Sequence, residues 1–161
     1  NIVTTLASAD PANAESYEAN ASAYLVQLQA LDTDVQEQLA EIPPEKRMLV
    51  TNHSALGYLA RVYDWEILGT VIPGMSTLSE PSASDLVDLI GTMEEHGICT
   101  IFTETTVSDS LAKTVAAELN NCDEVQVLPL YTGALGPAGS DADNYIGMYR
   151  ANIETILEGL R

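Results

Sequence analysis

Two side chains in this sequence form a candidate pair for holding a metal ion. They are His53, within Leu49-Val-Thr-Asn-His-Ser54, and Glu104, at the end of Ile101-Phe-Thr-Glu104. Each follows a short run of apolar and β-branched residues, the place where a ligand sits when a β-strand delivers it. A neutral imidazole nitrogen with a carboxylate oxygen suits zinc, manganese or ferrous iron. Both residues also have plain structural uses. A histidine after a strand can cap a helix or satisfy a hydrogen bond, and a glutamate there can be a solvated loop acid or a helix-dipole partner. The second histidine, His96, stands just before Gly97 at the end of a helical pattern, where a cation complements the helix dipole, and it reads as structural.

The chemistry of other site classes is missing. There is no Gly-x-Ser-x-Gly, no phosphate-binding P-loop and no Gly-x-Gly-x-x-Gly. The glycines between Gly133 and Gly139 lack the phosphate-loop lysine and do not directly open a helix. A metal-dependent hydrolase would need a general base. Asp85 and Asp109 are the positions available, and both read better as residues at helix N-termini.

His53 and Glu104 can meet only if the elements before them are neighbours. Asp10-Pro11 is a helix start, and apolar residues at Tyr17, Ala21, Tyr24, Leu28, Leu31, Val35 and Leu39 then make one stripe on a long helix, stopped by Pro43-Pro44. Beyond it, strands are predicted at 48–52, 66–72, 98–103 and 125–131, and helices at 54–63, 82–96, 108–121 and from Asp141 or Asp143 to about Leu160. Pro73-Gly74 signals a turn after the second strand. Alternation of this kind predicts a four-stranded parallel sheet flanked by helices on both faces, preceded by the long helix. In such sheets ligands bind at the carboxyl ends of the strands. Among the residues there, only His53 and Glu104 are good metal ligands; Thr132-Gly133-Ala134 follows the last strand.

Bulk properties narrow the partners. Six Lys and Arg stand against 24 Asp and Glu, a formal net charge of -18, which repels a phosphate backbone and disfavours nucleic acid. That charge serves solubility and also attracts cations. With 46% apolar residues the 161-residue chain can build a core, and no window is apolar for long enough to span a membrane. Lacking a signal peptide and a starting Met, the chain is expected to be a piece of a longer protein or a mature product. Cys99 and Cys122 precede two predicted strands, at the same end of the sheet if those strands are neighbours. A disulfide and two half-buried thiols are both compatible with that placement.

Several segments, in order along essentially the whole chain, resemble the TroA-like metal-binding receptors of ABC importers. They are Asp10-Pro-Ala-Asn13 with Tyr17, Asn20, Tyr24 and Leu28, then 49–60, then Ser79-Glu-Pro-Ser82 with Asp85 and Leu86, then Ile101-Phe-Thr-Glu104, and finally Tyr145-Ile-Gly-Met-Tyr-Arg-Ala-Asn152 with Ile156 and Leu160. The resemblance implies two α/β lobes joined by one long helix, with a divalent metal held between them by residues from each. This chain would be the C-terminal lobe, with residues 1–42 as a connector helix region packed on it and residues 43–161 as the metal-binding lobe. His53 matches a ligand histidine of the family, with Leu56 where an aromatic is common, and Glu104 matches the third ligand. The family's fourth ligand is typically an Asp just after the last strand. Gly133 occupies that place here, so Asp141 and Asp143 from the same loop are weak candidate contributors, with helix capping as their ordinary alternative. Glu80, in the landmark near the cleft, is not expected to be a ligand. The implied function is extracytoplasmic capture of zinc, manganese or iron, at the periplasm or cell surface, and delivery to an ABC permease with its ATPase subunit. A lipid anchor or the permease would supply the membrane association. A surface adhesin of the same family and a metal-dependent hydrolase are the alternatives. Lacking the N-terminal lobe, this stretch alone is expected to bind metal weakly.

Overall fold

The computed structural model describes residues 1–73 and 81–161, so the predicted turn at Gly74 and the landmark residues Ser79 and Glu80 lie outside the described residues. The chain divides into two compact units, Asn1–Glu37 and Gln38–Arg161.

The first unit holds α1 (Ile2–Ala9), a 3-10 turn (Pro11–Asn13) and most of α2 (Ala14–Leu39). Asp10-Pro11 was expected simply to begin a helix. It is instead a junction: Asp10 closes α1, its N–H donating to Leu6 O at 2.8 Å, and Pro11 opens the next turn. The Asp10 carboxylate accepts from Asn13 Nδ2 (2.8 Å) and Tyr17 Oη (2.9 Å), and those two bonds hold its carboxyl below the usual value. Along the stripe of α2, Tyr17, Ala21 and Leu28 are half-buried while Tyr24 is exposed.

The second unit is a parallel four-stranded sheet. Its strands are β1 (Met48–Thr51), β2 (Glu66–Thr70), β3 (Thr100–Glu104) and β4 (Gln126–Leu130), in spatial order β2-β1-β3-β4. Helices α3 (Gly57–Tyr63), α4 (Ala83–His96) and α5 (Ser110–Glu118) make the crossovers, and α6 (Tyr145–Leu160) follows β4. Side chains alternate across the sheet. Val50 and Ile101 enter one core with Leu89 and Met93 of α4 and Ala112 and Val115 of α5. Thr100 and Phe102 point the other way, toward Gly159 of α6, where a Cβ would stand 2.8 to 3.0 Å from both. Glu104 shares their parity.

Local chemistry sets the element ends. Ser82 caps α4 in a reciprocal box: Asp85 N donates to Ser82 Oγ, and Ser82 N donates back to Asp85 Oδ2. Gly97, at φ 65°, ends the helix in the left-handed conformation that glycine adopts without a Cβ penalty. The last helix begins later than its acidic candidates implied. Asn144, not Asp141 or Asp143, is the cap, its side chain accepting from Gly147 N at 3.0 Å. Helices α3 and α5 are also shorter than the sequence pattern suggested.

Cys99 and Cys122 are joined in a disulfide, their Cα atoms 5.7 Å apart. The bridge lies just before β3 and β4, at the amino edge of the sheet, beside the ladder bond from Gln126 N to Cys99 O (2.9 Å). Of the two options left open by their placement, the bridge is the one realised. No helix among the described residues is long and apolar enough to cross a membrane.

Candidate metal centre

The strand order decides where a site can form. From β1 the chain leaves for α3, which with α6 flanks a cleft of about 330 Å³ lined by Leu59, Val62, Met148 and Tyr149. From β3 it leaves for α5, in the core on the opposite face. β1 and β3 are adjacent, so their carboxyl ends form the point where the connections diverge, and a crevice opens there in open parallel sheets. His53 lies just beyond β1, and Glu104 is the last residue of β3.

Each side chain has a firm base. Asn52, wholly buried, extends the ladder: its N–H donates to Phe102 O and its carbonyl accepts from Ile72 N, both at 2.8 Å. The carbonyl of His53 accepts from Thr51 Oγ1 (3.0 Å) and Ala55 N (2.8 Å), which folds the loop back on itself. Every residue of β3 is buried, and Val107 N donates to Glu104 O at 3.2 Å as the chain turns away.

His53 Nδ1 faces Glu104 Oε1, with side-chain exposures of 18% and 7%. Neither atom reaches solvent, and neither has a hydrogen-bond partner. Two lone-pair-bearing atoms directed at each other in a buried place need positive charge between them, either a proton on the imidazole or a metal ion. The second carboxylate oxygen is already used: Thr132 Oγ1 donates to Glu104 Oε2. Thr132 is the site residue that residue-type reasoning passed over. Its only sequence signal is a hydroxyl directly after the last strand, the position that His53 holds after the first.

The loop after β4 is itself pinned. Asn152, on α6 and 8% exposed, donates from Nδ2 to Tyr131 O and accepts at Oδ1 from Tyr131 N, both at 2.8 Å. One amide side chain thus does the work of a neighbouring strand. Gly133 comes two residues on. It is exposed and is not among the glycines at positive φ; a Cβ there would stand 3.2 Å from Thr106 Oγ1, a tight contact with a hydroxyl. The backbone therefore does not demand glycine at this position.

The two acidic candidates do not come to the pair. Asp143 accepts from Gly139 N and from Asn144 Nδ2, each at 3.0 Å, and these bonds hold its carboxyl below the usual value. Asp141 is exposed. Among the described residues no group of three or more His, Cys, Asp and Glu side chains gathers as a metal cluster. His96 ends α4 at the far edge of the sheet, in the structural place expected of it.

Comparison with known proteins identifies the family and the fold. A family model described as "ZnuA: Zinc-uptake complex component A periplasmic" matches residues 1–159. The manganese-binding lipoprotein MntA of Halalkalibacterium halodurans is 34% identical over 152 residues, covering 94% of this chain and 49% of that protein. The metal ABC transporter substrate-binding lipoprotein ScbA of Streptococcus cristatus is 32% identical over 164 residues, covering 99% of this chain and 50% of that one. In three dimensions the periplasmic zinc-binding protein TroA from Treponema pallidum superposes with a TM-score of 0.88 at 30% identity, over 99% of this chain and 57% of its own. This chain spans about half the length of the curated relatives it matches. With a matching sheet, a ligand-type pair at its switch point and a family match over almost every residue, the chain belongs to the ZnuA/TroA family of metal-binding receptors.

Proposed function

We propose that this chain is the C-terminal lobe of an extracytoplasmic receptor that captures a divalent transition metal and passes it to an ABC permease with its ATPase subunit. His53 and Glu104 supply this lobe's share of the ligands. Residues 1–42 serve as the connector helix region and residues 43–161 as the metal-binding lobe.

The observation that carries the reading is the buried convergence of His53 Nδ1 and Glu104 Oε1, both lacking hydrogen-bond partners, at the switch point of the sheet. Nitrogen and oxygen donors of this kind suit zinc, manganese or ferrous iron. The Cys99–Cys122 disulfide accords with an oxidising compartment outside the cytoplasm. Capture and release need only deprotonated ligands and a cleft that opens and closes; no bond in a substrate has to be made or broken. Two ligands and solvent do not hold a transition metal selectively, so tight binding requires ligands from the other lobe.

Calorimetric titration with zinc and manganese tests this, on this chain and on a protein extended by the remainder of the receptor. The expected result is weak binding by the chain, tight binding by the extended protein, and loss of the tight phase in His53→Ala. No binding by either protein, or an unchanged affinity in His53→Ala, overturns the assignment.

A further inference from the structure

His53 meets one oxygen of Glu104, and Thr132 decides which. Its hydroxyl donates to Oε2, leaving Oε1 as the oxygen without a hydrogen-bond partner and the one turned toward the imidazole. Thr132 is held in turn, because the preceding residue, Tyr131, has both backbone polar groups bound by Asn152. Glu104 sits in a fully buried strand. The carboxylate is therefore fixed at both ends, by its backbone and by one of its own oxygens.

We propose that Thr132 is a positioning residue that sets metal preference: by occupying Oε2 it makes Glu104 a one-oxygen ligand and biases the centre toward zinc over manganese. This rests on the metal-site reading of His53 and Glu104. Zinc takes four ligands in a tetrahedron and is satisfied by one nitrogen or oxygen from each group. Manganese favours an octahedral, oxygen-rich shell, to which a carboxylate contributes most when both its oxygens are free. Gly133 points the same way, because the residue beside Thr132 adds no carboxylate that would enrich the set in oxygen. Hydrogen-bonding partners of ligands change metal affinity by about 10- to 100-fold, so a single hydroxyl can set such a preference.

The test uses the receptor with both lobes, as wild type, Thr132→Val, Thr132→Ser and Thr132→Ala. Zinc and manganese affinities are measured by competition titration, and the zinc shell is read by X-ray absorption. Thr132→Val and Thr132→Ala are expected to narrow the zinc-to-manganese affinity ratio by about tenfold or more. Thr132→Ser, which keeps the hydroxyl, retains the wild-type ratio. The zinc spectrum of the wild type is expected to show a single carboxylate oxygen from Glu104. An unchanged ratio in both Val and Ala, or an equal change in Ser, overturns the proposal. His53→Ala in the same titration separates the two levels. If it leaves both affinities unchanged, the metal-site reading itself fails; if it removes binding while Thr132→Val keeps the ratio, only the role of Thr132 fails.

Discussion

Replacing Asn152 with alanine should loosen the loop that carries Thr132 and should be costly for so small a change. The side chain makes two hydrogen bonds to one residue, each 2.8 Å, from a position only 8% exposed. A net contribution of about 1 kcal/mol per bond gives roughly 2 kcal/mol. Leaving Tyr131 N and O without partners adds a desolvation penalty. Tyr131 is half-buried, so water recovers part of it, and the total comes to about 2–3 kcal/mol. In a domain of this size each kcal/mol moves the melting midpoint by about 2–4 °C, so a drop of roughly 4–12 °C is expected. Urea unfolding followed by circular dichroism supplies the free energy, and differential scanning calorimetry the midpoint. Asn152→Asp is the control for the donor: it can still accept from Tyr131 N but sets a carboxylate oxygen against Tyr131 O, so it should be no more stable than the alanine variant at neutral pH. A loss below about 0.5 kcal/mol in Asn152→Ala would refute the argument, because it would mean that the loop keeps its place without the clamp.

Three further perturbations probe other parts of the fold. The Cys99–Cys122 bridge closes a sequence separation of 23, for which chain-entropy arguments give about 3.4 kcal/mol; the Cys99→Ser/Cys122→Ser double variant should lose that amount in urea unfolding, and a loss under about 1 kcal/mol would mean the open chain keeps the two strand starts together. Gly147→Ala would place a Cβ 1.8 Å from Asp141 O, so the first turn of α6 must move away from its loop, at a cost in the upper part of the ~1–3 kcal/mol range for overpacking, measurable as a lowered midpoint in calorimetry. The bonds from Ser82 N and Ser82 Oγ hold the Asp85 carboxyl below its ordinary value of 3.8, so its stabilisation is fully present above that pH and fades as pH falls through the lowered value. The melting difference between wild type and Asp85→Asn should accordingly be largest at neutral pH and close well below 3.8; a difference that persists in strong acid would contradict it.

The architecture was legible because its signals are periodic. Four apolar runs separated by helical stripes lead to a parallel sheet, and His53 just beyond β1 with Glu104 at the end of β3 leads to the pair at its carboxyl edge. What stayed hidden depends on contacts between residues distant in sequence. Thr132 gains its place from a bond to Glu104, 28 residues earlier, and Asn152 from bonds to Tyr131, 21 residues earlier. Neither residue type is a metal ligand of first choice, so inspection by chemistry alone passes over both. Helix α1 is hard to read from sequence because Asn1 is its one cap-type signal: Ile2–Ala9 has no acidic residue in its first turn and no basic residue in its last. The start of α6 was misjudged by a few residues because Asp141, Asp143 and Asn144 are all capping types, and only the fold selects Asn144. The disulfide could not be decided in advance, since the residue spacing permits bridged and free cysteines alike.

The clamp on Tyr131 has a consequence for the order in which the molecule is made. A ribosome or export channel releases the chain from its amino end, so β1 with His53 and β3 with Glu104 emerge well before α6. Until Asn152 has followed them, nothing else described fixes the Tyr131 backbone, and the hydroxyl that orients Glu104 is not yet held in place. The nascent chain thus presents His53 and Glu104 before their mutual geometry is fixed. The orientation of Glu104 is fixed only once α6 docks, so a segment made after both side chains sets how they face each other.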